Sequence, residues 1–348
     1  MGVVVRIGAQ PPDSFAVVMA TGIVSVAARD SDYPAISAVL AVLAGAALLV
    51  LAVLAGVRRA VRGRAFAEGP DPLTHTFALF TFVAACDVLD ARIGYERIGI
   101  VGVLSLVALV AWLAIGAQLS AALRAVPAQV VGATARGGWL LAAVATHSLA
   151  LAAAQLAGVG VAVTPLLVLS ILWWVLGLLA YVPIAGLVVA RLRAARLAPE
   201  VLTPDLWVLM GALSIATVAG GALTLVSERS PAFGWLPGVL VPVLVVVWAV
   251  AGAWIPLLVA AEVRRARWSR PRYERARWST VFPLGMYSSA CFVLAAVLTQ
   301  DAGGATTFTA ALLATSHTVF WVAVAAWGAT AVGLTRRGWR ALRPADPR

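Results

Sequence analysis

The sequence predicts an all-α polytopic membrane protein of ten transmembrane helices, five of them forming an inner ring around a central pore. Three observations carry that reading. Hydrophobic residues fill 62% of the 348 positions and charged residues 12%, with a mean hydropathy of +0.96, whereas a soluble domain carries about 25% charged residues. Apolar runs long enough to enter a bilayer follow one another from end to end. The arginines gather in alternate loops. No polar stretch is long enough to hide a soluble domain, so a single integral domain over 1–348 is expected. No basic head with a small-residue cleavage site precedes the first run, so no cleaved signal peptide is expected.

Arginine-rich or Gly/Pro breaks divide the chain into Asp13–Ala28, Pro34–Val57, Pro72–Val88, Ile98–Leu123, Gly138–Ala157, Val163–Val189, Pro204–Val226, Trp235–Ala261, Trp278–Thr299 and Thr306–Leu334. The even runs are long, Leu/Val/Ala-rich and dotted with Trp, and read as lipid-facing outer helices. The odd runs are shorter and rich in Gly, Ala, Ser and Thr. Small residues let helices approach closely, and hydroxyls tolerate a protein neighbour or water, so the odd helices form the inner ring.

All 26 basic residues are arginine, and all but four of them fall with the two termini and the second, fourth, sixth and eighth loops. The other side holds Arg29, Arg92, Arg97 and Arg229. The positive-inside rule then places both termini in the cytoplasm of a plasma (inner) membrane. The net charge of +11 is thereby a topology signal, and no nucleic acid is implied. The run Arg264, Arg265, Arg267, Arg270, Arg272, Arg275 and Arg277 also suits contact with membrane lipid.

A weak repeat runs through the odd segments. An aromatic is followed seven residues later by a small or polar residue: Phe15 to Gly22, Phe80 to Asp87, Trp139 to Thr146, Trp207 to Ser214, Trp278 to Gly285. Four residues after the aromatic stand Met19, Ala84, Ala143, Gly211 and Phe282, and the last is the only aromatic among them. The pore-lining candidates are Met19, Gly22, Ala84, Ala143, Thr146, His147, Gly211, Ser214 and Gly285. Pro283 removes a backbone donor beside Phe282 and permits a bend. A phenylalanine in a membrane helix is ordinarily packing, and its register is what marks Phe282 as a candidate gate. All five odd helices begin on the cytoplasmic side, so their N-terminal dipoles favour anions there, with Arg136 and Arg277 adding positive charge at the mouth.

The absence of lysine removes Schiff-base and Walker-type chemistry. No nucleophile elbow is present, so no enzyme is expected. Three scattered histidines and two cysteines in apolar runs, Cys86 and Cys291, give no metal or disulfide signal and imply no cofactor. Two in-membrane groups suit proton coupling, His147 and Asp87. Against that stand a histidine bonded to a neighbouring helix and an ion pair of Asp87 and Asp90 with Arg92 or Arg97.

The stretches Pro12-Asp13-Ser14-Phe15-Ala16-Val17-Val18-Met19-Ala20-Thr21-Gly22, Gly137-Gly138-Trp139-Leu140, Trp207-Val208-Leu209-Met210-Gly211-Ala212 and Trp278-Ser279-Thr280-Val281-Phe282-Pro283-Leu284-Gly285-Met286 resemble the tellurite-resistance/dicarboxylate transporter family. That family also includes the slow-type anion channels of plant guard cells, malate permeases and fungal sulfite efflux pumps. The resemblance spans essentially the whole chain. It implies five helical hairpins with quasi-fivefold symmetry, a homotrimer with one pore in each protomer, and occlusion of that pore by the phenylalanine of the Phe282-Pro283 pair. The expected function is passage of small inorganic or dicarboxylate anions. The alternative is proton-coupled transport of a C4-dicarboxylate such as malate, or of sulfite or tellurite-related oxyanions.

Overall fold

The structure, a computed structural model, describes residues 11–63, 71–94, 98–268 and 273–342. Its helices are α1 (Ala16–Asp30), α2 (Pro34–Arg62), α3 (Pro72–Ile93), α4 (Ile98–Ala125), α5 (Leu141–Gly158), α6 (Val163–Ala194), α7 (Val208–Ser227), α8 (Leu236–Trp268), α9 (Trp278–Asp301) and α10 (Thr307–Leu342). A short helix, Ala128–Thr134, precedes α5. Among the described residues, nine helices are long and apolar enough to cross a membrane. The remaining one, α1, has 15 residues behind a four-residue 3-10 turn, Pro12–Phe15. It is buried along most of its length, so protein rather than lipid surrounds its backbone and full bilayer length is not demanded of it.

The odd helices close on one another. α1 packs on α3, α3 on α5, α5 on α7, α7 on α9, and α9 returns to α1. Each even helix packs on the odd helix before it and leans on the next, so α2 lies over α1 and α3, and α10 over α9 and α1. Burial divides the two sets: 61–89% of the apolar core stretch of α3, α5, α7 and α9 is buried, against 17–28% for the even helices. The small side chains of the odd helices permit this. At Gly22 a Cβ would stand 2.8 Å from Val88, at Gly211 2.8 Å from Pro283, and at Gly285 3.0 Å from Ile23. These glycines are where neighbouring inner helices touch.

Four tryptophans of the outer helices point inward, whereas Trp268 on α8 and Trp339 on α10 are exposed. Trp112 on α4 donates its indole N–H to Thr146 Oγ1 (3.0 Å), Trp174 on α6 to the Ala216 carbonyl (2.8 Å), Trp254 on α8 to Tyr181 Oη (3.0 Å) and Trp327 on α10 to Thr21 Oγ1 (3.0 Å). These outer helices are therefore lipid-facing on one side only: three indoles tie them to the ring directly, and Trp254 does so through Tyr181, whose hydroxyl donates to the Leu209 carbonyl (3.1 Å).

A second repeat emerges from the packing. Ser37 on α2 and Ser25 on α1 donate to each other's carbonyl (2.7 and 2.6 Å), and Ser316 on α10 and Ser288 on α9 do the same (2.8 Å each). Ser105 on α4 donates to Asp90 (2.6 Å), and Ser170 on α6 to the Ala150 carbonyl (2.8 Å). Ser25, Asp90 and Ser288 each lie ten residues after the aromatic of their helix, and Ala150 lies eleven after its own. Four hairpins thus carry an outer-helix serine bonded at this level of the inner helix, reciprocally in the first and last. This bonding also corrects the ion pair expected of Asp90: the carboxylate takes its hydrogen from Ser105, while Arg92 Nε donates to Ser25 and Ser37. Arg97, Arg270 and Arg272 lie outside the described residues.

Candidate functional site: two cavities on the ring axis

Two cavities lie one at either end of the ring, the first lined by α3, α5, α9 and the turns leading into α1 and α7, the second by all five inner helices. The first, of about 510 Å³, lies at the helix N-termini, among Asp13, Thr74, Arg136, Asp205, Arg275 and Ser279. The second, of about 240 Å³, lies in the C-terminal halves, among Ile23, Asp87, Ser148, Ile215, Met286 and Ser289, with Arg29, Asp30 and Arg229. A path along the axis must pass between them.

Helical spacing identifies the intervening residues. On α9, Ser279 lines the first cavity and Met286 the second. Phe282, three residues after one and four before the other, falls on the same helical face. Its side chain is fully buried, as is that of Met19 on the matching face of α1. The residues lining the second cavity keep a common register: Ile23, Val88, Ile215 and Met286 each stand eight residues after the aromatic of their helix. Four residues earlier are Met19, Ala84, Gly211 and Phe282, of which Gly211 meets Pro283 of α9.

The fifth helix departs from this register by one residue. Its cavity residues are Leu141 and Ser148, and the face between them passes through Val144 and Ala145 rather than Ala143. The 3-10 turns before α1 and α7 end on the aromatic itself, Phe15 and Trp207, the turn before α5 runs one residue past Trp139, to Leu140, and the turn before α9 stops one residue short of Trp278.

Positions seven after the aromatic fall mostly off the cavity face. Gly22 and Gly285 meet neighbouring inner helices. Thr146 donates to the Ala142 carbonyl and accepts from Trp112, and Ser214 donates to the Met210 carbonyl. His147 is buried against α6: its Nδ1 lies 2.9 Å from the Ala143 carbonyl, and a Cβ at Gly177 would stand 2.6 Å from the ring. It does not line either cavity. Asp87 does, with one oxygen accepting from Ser148 Oγ (2.5 Å) and Oδ1 buried without a partner.

The mouth differs electrostatically from the expected ring of positive charge. Arg136 lines the first cavity, but Arg277 pairs with Glu262 on α8 and does not line it. Arg275 stands there instead, 3.8 Å from Asp13. Asp13, Asp71, Asp205 and Glu274 share the mouth, and they sit at inner-helix beginnings. Asp71 accepts from the Leu73 amide (3.1 Å) and Asp205 from the Gly138 amide (2.8 Å). The helix dipoles are thus answered largely by the protein's own carboxylates.

With this geometry in place, comparison with known proteins is decisive at the family level. The sequence profile of the family described as voltage-dependent anion channel matches residues 10–335. The chain belongs to this family. The voltage-dependent anion channel family includes tellurite-resistance and malate-permease relatives, so the motif resemblance holds. Its members are channels and transporters, and the apolar helices make this chain a multi-pass membrane protein. An uncharacterized membrane protein of Mycobacterium tuberculosis, found in two strains, is 40% identical over 116 residues, which cover 33% of this chain and 58% of that relative. The chain thus spans little more than half the length of the curated relatives it matches.

Proposed function

We propose that this protein passes small anions through a pore within each protomer, along the axis of the inner ring, with Phe282 as the gate and Pro283 as the bend that lets it move. In this reading ten spans form five hairpins with quasi-fivefold arrangement, three protomers assemble, and both termini lie in the cytoplasm of the inner membrane. One observation carries it: two cavities, one at the beginnings of the five inner segments and one among their C-terminal halves, are separated on α9 by one buried aromatic at Phe282. Neither cavity offers a cluster of guanidinium groups at mid-depth, so selection follows dehydration and size rather than tight recognition. A phenyl edge is electropositive and does not repel an anion passing beside it. Phe282→Ala is expected to raise anion conductance in planar bilayers at least tenfold, a barrier change of about 1.4 kcal/mol. An unchanged or smaller current from monodisperse, normally melting protein overturns the gate.

A second reading, proton-coupled movement of a C4-dicarboxylate or a sulfite- or tellurite-related oxyanion, is favoured by Asp87. Its buried, unpartnered Oδ1 belongs to a carboxyl group that lines the second cavity, a costly placement that often marks a proton path. Liposomes loaded with chloride, nitrate, sulfite or malate separate the two readings. Flux driven by voltage alone supports the channel, and flux driven by a pH gradient and lost in Asp87→Asn supports coupling.

A further inference from the structure

Away from the pore, at the end of the helices where arginines gather, α6, α8 and the segment leading into α7 enclose a groove of about 1110 Å³. Its floor is apolar and buried, formed by Leu202, Leu206, Leu209 and Leu258. Its walls leave Leu257 and Trp268 exposed, at 61% and 72%. Its rim carries Arg193, Arg196, Arg264 and Arg267, and no carboxylate among the described residues lines it.

The four guanidinium groups are unpaired among the described residues, although acids lie close by. Glu274 takes Arg265 and Glu262 takes Arg277, while Arg191 donates to the Ala135 carbonyl. Arg264 and Arg267 stand one turn apart on α8 and so share a face. Opposite them, Arg196 and Leu197 both adopt left-handed backbone, with φ of 50° and 54°, a costly conformation for residues with side chains. It occurs at two consecutive residues that line this groove.

We infer that the groove binds one anionic phospholipid, its phosphate held by the arginine rim and an acyl chain lying along the leucine floor. The inference rests on the membrane reading of the chain and not on the pore. Guanidinium groups grip phosphate oxygens bidentately, and an unpaired set of four suits more than one phosphate charge. The dimensions agree. Trp254 and Arg267 both line the groove on α8, and their separation along the helix is about 20 Å at the α-helical rise, enough for an acyl chain within one leaflet of a core about 30 Å thick. A basic pocket between helices, at the interface and open to lipid, is the setting in which headgroups are recognised.

Native mass spectrometry of the full chain, titrated with phosphatidylglycerol, diphosphatidylglycerol and phosphatidylcholine, tests this. The anionic lipids are expected to bind in preference to phosphatidylcholine, with diphosphatidylglycerol strongest. Each arginine near an anionic phosphate contributes about a factor of five, so Arg264→Gln with Arg267→Gln should lower anionic-lipid affinity roughly 25-fold and leave phosphatidylcholine unchanged. Leu257→Trp, an exposed site where folding is not at stake, should crowd the chain and weaken every lipid while sparing the arginines. Equal binding of neutral and anionic lipid by the wild type overturns the proposal. So does full competition by soluble glycerol phosphate, which marks a free-anion site. Disulfide-linked oligomers formed through Leu257→Cys, in a background lacking the native cysteines, would assign the groove to a second copy of the chain and overturn it equally.

Discussion

Phe282 and His147 show how different the roles of two fully buried side chains are. Phe282 lies between two cavities, on a face shared with residues that line them, and in the proposed function its removal opens space along the path. His147 faces Gly177 of an outer helix, where a methyl group would come within 2.6 Å of its ring. Its contribution belongs to packing. Gly177→Ala should therefore destabilise the protein by about 1–3 kcal/mol, as overpacking does, and His147→Ala should recover part of that loss in the double variant. Thermal unfolding of the four proteins in detergent measures the coupling. A strictly additive cycle would remove His147 from the α5–α6 contact. The sequence marks both residues as unusual in their helices, but only neighbours distinguish them: a histidine beside Thr146 and Ser148 reads the same whether it faces inward or outward.

At the scale of the helix, α5 is turned by one residue relative to the other inner helices. The aromatic spacing assigns Ala143 to the pore, whereas the cavity residues Leu141 and Ser148 assign Val144 and Ala145. Cysteine accessibility distinguishes them. With Cys86 and Cys291 replaced, and Phe282→Ala opening the path, Val144→Cys should react with a small charged thiol reagent at least tenfold faster than Ala143→Cys. The reverse order would restore the register read from the aromatics. Much of the hairpin pattern is legible in composition, because lipid-exposed and protein-buried helices draw on different residues. The serine bonds are not, since Ser37, Ser105, Ser170 and Ser316 are scattered hydroxyls until their partners ten or eleven residues beyond an aromatic are brought alongside.

For the whole molecule, the closed ring fixes where charge can act. Asp87 faces the second cavity while Asp90, one turn away, faces α4 and Ser105. If protons move with the anion, Asp87→Asn should abolish flux driven by a pH gradient and leave voltage-driven flux within about twofold. The corresponding change at Asp90 should lower stability instead, by about 1 kcal/mol for a lost hydrogen bond. Reconstituted vesicles under each gradient, with melting curves alongside, check both outcomes. The sequence by itself determined that the chain is a membrane protein, that its odd helices are the inner ones, and which phenylalanine stands out. Those properties follow from composition and spacing along one chain, and burial in lipid or protein acts on each helix separately. Only the tertiary structure decided that Arg277 is taken up by Glu262, that the mouth holds carboxylates, that α5 is turned by one residue, and that four arginines surround an open apolar groove. A charge or a face acquires its meaning from the groups opposite it, and here those lie on helices distant in sequence.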